Sequence, residues 1–313
     1  MAVITDDVQL AAATIRAGGL VGMPTETVYG LAADATSRAA IEHLYAVKGR
    51  PADHPSIVHV ASVDDARTWA SDWPDAADAL ARRFWPGPLT LILPAGGRAD
   101  PAALGGTGTI ALRIPDAPLA LRLIEASGTG LAAPSANRFG RVSPTTALHV
   151  AEDLGRDVDV ILDGGRCGIG VESTIVDLTG SGPRILRPGA VTAEMVEEAL
   201  ATPVLPATPD APRAPGTLAA HYAPRLRVVL IANPTEIDDP ASTTLIAPTG
   251  TLAPGFHAVI DAGATPAAYA ERIYAMLRAA DMSGAARIAV LPPAPTGIGL
   301  AVLDRLRRAA AGA

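Results

Sequence analysis

The stretch Leu20-Val21-Gly22-Met23-Pro24-Thr25-Glu26-Thr27-Val28-Tyr29-Gly30 decides how this chain is read. Leu20 to Met23 make a short apolar strand, and Pro24, which has no N–H for a ladder, stops it. After the proline come two hydroxyls, a carboxylate and a phenol, closed by a glycine. Ligands of open α/β sheets sit just past strand ends. Such a loop suits a small polar ligand such as an amino acid. A capped turn has the same composition, and this loop alone does not separate the two readings.

Outward from it the pattern stays mixed. Residues 6–17 read as a helix ended by Gly18 and Gly19. The segment 24–35 reads as loop. Ser37 is a helix N-cap, and Ile41, Leu44, Tyr45 and Lys48 follow at helical spacing, which puts Lys48 and Arg50 at that helix's C-terminus. Apolar runs at 57–60, 89–93, 109–114, 130–133, 158–162, 174–178 and 184–187 read as strands. Helices fit near 63–83, 117–126, 145–155 and 192–200. This is an α/β chain on one continuous mixed sheet. Residues 202–224 are proline-rich and aperiodic, a semi-rigid linker. A second α/β unit follows, with strands at 226–232, 243–247, 257–260 and 287–291 and helices at 266–280 and 299–311. The expected division is a domain over 1–205, a linker over 206–224 and a small domain over 225–313.

Bulk properties narrow the function. A chain of 313 residues has room for two domains, and 49% hydrophobic with 18% charged residues is an ordinary globular balance. The net charge of −7 is a poor basis for general nucleic-acid binding, which draws on a basic surface. One cysteine, Cys167, allows neither an internal disulfide nor a cysteine-rich zinc site. The N-terminus has no signal-peptide pattern and no apolar run reaches membrane-span length, so the expected location is the cytoplasm.

Arginine holds nearly every basic position; the single lysine is Lys48. An ammonium is a compact charge on a flexible stem that guanidinium does not copy. In Lys48-Gly49-Arg50-Pro51 two cations flank a glycine at a helix end, an arrangement that clamps phosphate oxygens or compensates the helix dipole. Ser135 and Asn137, with Arg138, Arg141 and Ser143 behind them, follow another strand end. Asp163-Gly164-Gly165 and Glu172-Ser173-Thr174 lie in a glycine-rich stretch that permits close approach to a ligand or simply turns between strands. No P-loop, zinc-protease motif or serine nucleophile elbow is present. Thr296-Gly297-Ile298-Gly299 before the last helix is a weak phosphate-turn signal.

The segments PTETVYGL (24–31), KGRP (48–51), HPSIVHV (54–60), FWPGPLTLIL (84–93), TIALRIP (109–115), APSANRFGRVSPT (133–145), DGGRCGIGVESTIVDL (163–178) and RILRPG (184–189) occur in this order. Together with the linker APGTLAAHYAP (214–224), they make the chain resemble the YrdC-like family in its two-domain form, the threonylcarbamoyl-AMP synthases. The resemblance implies an open twisted α/β sheet with a positively charged cavity, then a small Rossmann-like domain. It implies that Thr27, His59, Arg113 and Ser173 hold L-threonine, and that Arg50, Thr109, Ser135, Ser143 and Arg187 surround ATP. Lys48 with Arg50, and Ser135 with Asn137, match the family's paired K-x-R and S-x-N signatures, and Tyr222 matches a tyrosine that closes over the nucleotide. His54 stands where the family often has Asn near the nucleotide, and Ala32 where Gly is usual. The implied reaction joins L-threonine, bicarbonate or CO2 and ATP with Mg2+, Lys48 and Arg50 being the catalytic cations. Its adenylate would pass to a separate transferase that modifies tRNA. A non-catalytic RNA-binding module is the rival reading, and the acidic balance disfavours it. Related carbamoyltransferases need cysteine zinc fingers, which one cysteine cannot supply.

Overall fold

The computed structural model describes residues 2–208 and 211–312. The first sheet takes its strands in chain order from β1 (Val3–Thr5), β2 (Val21–Met23), β3 (Gly30–Asp34), β4 (Ile57–His59), β5 (Leu89–Pro94), β6 (Thr109–Arg113), β7 (Leu131–Ala132), β8 (Val160–Leu162), β9 (Thr174–Asp177) and β10 (Arg184–Arg187). Their order across the sheet is β1-β8-β2-β3-β7-β4-β6-β5-β9-β10, with parallel and antiparallel pairs mixed. Helices α1 (Val8–Arg16), α2 (Arg38–Lys48), α3 (Val63–Arg67), α4 (Asp75–Phe84), α5 (Pro118–Ser127), α6 (Ala147–Leu154) and α7 (Ala193–Leu200) accompany it. The second sheet is β11 (Arg227–Leu230), β12 (Thr243–Ala247), β13 (Ala258–Asp261) and β14 (Arg287–Val290), parallel throughout in the order β11-β14-β12-β13. Helices α8 (Pro266–Asp281) and α9 (Ile298–Ala311) pack with it.

Three local expectations need correction. Residues 30–34, read as loop, form β3, antiparallel to both β2 and β7. Leu31, Ala32 and Ala33 are wholly buried, so the strand shows no polar–apolar alternation, and alanine is a weak strand former. Strand β1 was not read at all; it is a three-residue edge strand lying parallel to β8. The helix expected near 63–83 is two, α3 and α4, because Pro74 can start a helix but not sit inside one. Between them Ala70 bridges Ala95.

Helix α2 shows how the sequence aims a charged pair. The Ser37 side chain accepts from Ala40 N, satisfying one free N–H of the first turn. Gly49 ends the helix at φ 63, the left-handed region where a side chain is unfavourable. The reversal sends Lys48 and Arg50 out on either side of one turn.

The two units meet through a shared core. Val28, Val142 and Val171 of the first pack with Tyr222 of the linker and with Tyr269, Ile273 and Tyr274 of α8. Gly170, at φ +79, lies so close to α8 that a Cβ there would sit 2.3 Å from Ala270 O and 2.5 Å from Glu271 Cα. Arg278 of α8 donates to Asp153 Oδ1 at 3.0 Å and to Val142 O at 2.7 Å. No helix among the described residues is long and apolar enough to cross a membrane.

Candidate active site

Where the strand ends, the Lys48 turn and the linker converge, one cavity is lined by Thr25, Thr27, Val28, Arg50, Ile57, His59, Arg113, Ser135, Glu172, Arg187 and linker residues. The linker contributes Pro215, Gly216, His221 and Tyr222. Gly216 is required there: a Cβ on it would lie 2.3 Å from the Tyr222 hydroxyl.

His59 ends β4 and Arg113 ends β6, and the two are register partners in neighbouring parallel strands. Arg113 donates from Nε to Gly87 O at 3.2 Å, and its Nη2 sits 2.7 Å from Glu26 Oε1 in an ion pair too bent to be a good hydrogen bond. Thr27 shares a 2.8 Å hydroxyl contact with Thr25, whose own oxygen also receives Val28 N. A cation, an imidazole and a hydroxyl thus line one cavity, a set that matches the carboxylate and polar groups of an amino acid.

Arg50 and Arg187 supply the other cations. Arg50 Nη2 donates to Pro55 O at 2.6 Å, while its buried Nε has no partner among the described residues. Arg187 donates from Nε and Nη2 to Ser173 O and from Nη1 to Pro215 O at 2.9 Å, tying β10 to the linker. The His59 and His221 Nδ1 atoms and the Tyr222 hydroxyl are likewise buried without partners. Burial, with Arg113 beside it, pushes the His59 imidazole down to about 3. Burial also drives His221 to about 3, opposed by Glu172 and helped by the cations Lys48, Arg50 and Arg187. Both rings are neutral at pH 7.

Glu172 is the one carboxylate on the described wall. It is not free to act as a base. It accepts from Ser143 Oγ at 2.7 Å, from Tyr274 OH at 2.7 Å and from Arg305 Nε at 2.8 Å. Burial raises its carboxyl, but Arg305, Arg187 and these hydrogen bonds together hold it at about 2.

The wall therefore carries Thr27, Arg50, His59, Arg113, Ser135, Arg187 and Tyr222 of the expected residues, and not Lys48, His54, Thr109, Asn137, Ser143 or Ser173. Lys48 lies behind it, 2% exposed, with Nζ donating to Ser135 O and, at 2.6 Å, to Asn137 O. An ammonium has three donors, and these carbonyls take two. Asn137 donates onward to Arg138 O and Arg141 O, so the K-x-R and S-x-N segments build one brace. Ser143 and Ser173 are spent on Glu172 and on Thr90 and Arg187. His54 stacks edge-on against Phe139 at 5.5 Å. Thr109 opens β6 and Arg113 closes it, so at about 3.3 Å per residue they are roughly 13 Å apart. Glu26 and Glu172 stand in candidate segments but were given no role, and His221 and Arg305 were missed as contributors. His221 adjoins Tyr222 and could have been found; Arg305 carries no local signal.

The neutral histidines make acid costly. An unfolded histidine takes its proton near 6.5, whereas native His59 and His221 hold off until about 3. Stability is therefore full above about pH 6.5 and falls as pH drops from there towards 3, by about 2 kcal/mol per histidine at pH 5. Urea unfolding at pH 7.5 and pH 5 checks this; equal stabilities would rule out buried neutral imidazoles.

An open mixed α/β sheet whose strand ends carry an arginine-lined cavity, roofed by a linker to a small parallel-sheet unit, defines a two-domain YrdC-like protein. Residues 13–189 match the family model described as "Telomere recombination", and residues 191–311 match "Threonylcarbamoyl-AMP synthase, C-terminal domain". The chain belongs to the two-domain threonylcarbamoyl-AMP synthase family. It is 40% identical to the threonylcarbamoyl-AMP synthase of Pyrococcus abyssi over 96% of this chain and 93% of that one. The Bacillus subtilis protein of the same name is 38% identical over 98% and 94%. The crystal structure of P. abyssi Sua5 complexed with L-threonine superposes with a TM-score of 0.92 at 37% identity, covering 100% of this chain and 98% of that one.

Proposed function

We propose that the chain condenses L-threonine, bicarbonate or CO2 and ATP to threonylcarbamoyl-AMP and pyrophosphate, a nucleotidyl transfer that supplies tRNA modification. The observation that carries it is the convergence of three arginines, buried Arg113 and Arg187 and half-buried Arg50, on a cavity whose one described carboxylate is already neutralised. In the first step the threonine nitrogen bonds to the carbon of CO2 and loses a proton. A carbamate oxygen then attacks the α-phosphorus, and the bond to pyrophosphate breaks. Charge builds on phosphate oxygens, so positioned cations serve better than an enzyme nucleophile.

Arg113, with His59 and Thr27, holds the threonine carboxylate and hydroxyl; Arg50 and Arg187 face the phosphates. Lys48 with Arg50 supplies the catalytic field, Lys48 chiefly by fixing the loop that carries Ser135. Among the described residues no three metal-capable side chains gather, and Glu172 is committed elsewhere. Magnesium supplied with ATP would neutralise charge on the triphosphate, alongside Arg50 and Arg187. The adenylate passes to a separate transferase, and the reaction is placed in the cytoplasm.

With the linker in this position the cavity offers only about 50 Å³ to water-sized molecules. Ligand sites usually need several hundred. The linker lifts for entry and covers a product that water would destroy.

Pyrophosphate release from ATP, measured with and without L-threonine and bicarbonate, tests the reading: release should need both. A methyl contact discriminates by about 1–3 kcal/mol, so L-serine should be used roughly 10–200-fold less efficiently than L-threonine. No release from folded, magnesium-supplied protein, together with tight salt-sensitive RNA retention on filters, would favour the RNA-binding module instead.

A further inference from the structure

Arg305 lies on α9 in the second unit, yet its guanidinium is wholly buried and ends at the catalytic cavity. Its Nε donates to Glu172 Oε2 at 2.8 Å and its Nη2 to Pro188 O at 3.0 Å. Its Nη1 reaches Asp304 Oδ2 at 2.6 Å, and its carbon stands 5.5 Å from the centre of the Tyr222 ring. Pro188 follows Arg187, which holds linker Pro215 at 2.9 Å. One side chain thus touches the cavity's acid, the strand end carrying a cavity arginine, and the linker tyrosine.

Tyr222 needs such restraint. Its φ is +63, a conformation that side-chain-bearing residues avoid and that persists where surroundings over-determine it. Its ring stacks on Tyr274 of α8 at 5.6 Å and meets His221 edge-on at 4.2 Å. Tyr274 donates its hydroxyl to Glu172 Oε2 at 2.7 Å, the same oxygen that takes Arg305. Packing α9 against α8 needs only an apolar residue. A buried ion pair costs desolvation, and its recognised use is to fix one arrangement.

We propose that Arg305 is a positioning residue of the adenylation site, locking Tyr222 and the linker over the nucleotide while neutralising Glu172 beneath them. This rests on the synthase reading above. The second unit is then part of the active-site roof, acting through the linker without touching substrate.

The test uses the full chain and the variants Arg305→Met, Arg305→Lys and Tyr274→Phe. Four quantities are read: the ATP KM, the threonine KM, pyrophosphate released per adenylate recovered, and hydrogen exchange of residues 214–224. Arg305→Met should raise the ATP KM about tenfold, leave the threonine KM within about twofold, and release pyrophosphate in excess of adenylate. Its linker amides should exchange faster. Arg305→Lys, which keeps charge on Glu172 but loses the fork, should recover part of the ATP KM. A folded Arg305→Met with a lower Tm but unchanged ATP KM, product ratio and linker exchange would overturn the proposal. If that variant does not fold, Arg305→Met combined with Glu172→Gln, and Tyr274→Phe alone, are judged by linker exchange; no change in either overturns it. Wild-type protein that releases no pyrophosphate defeats the synthase reading, while the exchange comparison still decides the positioning role.

Discussion

Replacing Arg113 with methionine is expected to raise the threonine KM at least a hundredfold with a much smaller change in the ATP KM. Arg113 is 3% exposed, and its register partner across the strand pair is His59. A buried hydrogen-bonded charge that loses its partner costs about 3–5 kcal/mol, equivalent to roughly two to nearly four powers of ten in affinity. Two losses combine: the substrate carboxylate has no cation, and Glu26, now 2.7 Å from Arg113, keeps a carboxylate without one. Arg113→Lys should fall between, because it restores charge but not the planar fork. Pyrophosphate release as a function of threonine at saturating ATP decides the matter. An ATP KM that rises while the threonine KM stays put would assign this cation to the nucleotide.

The second large effect belongs to Lys48→Ala, expected to lower kcat/KM for ATP at least a hundredfold and to destabilise the fold as well. Its ammonium bonds the carbonyls of Ser135 and Asn137 from a fully buried position. Truncation leaves both acceptors dry, at about 1–3 kcal/mol each. Burial, and next Arg50, push the Lys48 ammonium well below the ordinary lysine range, with Asp153 pulling the other way. The lost activity follows from the Ser135 loop shifting, and a shift of about 1 Å in a positioning group can cost a hundredfold. Urea midpoints alongside pyrophosphate release separate the two contributions. A variant with wild-type turnover would remove Lys48 from the mechanism.

What was legible in the sequence was mostly local. Ser37 and Gly49 bound α2 from their own chemistry, and β5, β6 and β9 have apolar centres at 91–93, 110–112 and 175–176. Strand β3 was illegible because alanines buried on both faces carry no period. Arg113 and His59 were found through family resemblance, and the parallel register of β4 with β6 supplies the physical reason they act together. The rarity of lysine drew attention to Lys48, but no pattern in the sequence shows that its charge is turned onto backbone carbonyls. Glu172 and Arg305 are 133 residues apart, so their pairing exists only once the second unit has docked.

Gly170 makes one route for substrate entry costly. At this point the two lobes are in main-chain contact, with no side chain between them to slide or rotate. A clamshell opening would pull that contact apart and expose the Glu172–Arg305 pair to water, at the cost of the whole interface. Peeling back the linker leaves that main-chain contact and the Glu172–Arg305 pair in place while freeing the cavity wall made by Pro215, Gly216, His221 and Tyr222. We expect turnover to be gated by a short strap moving over a fixed frame, its pace following the strap's sequence more than the lobes' mass.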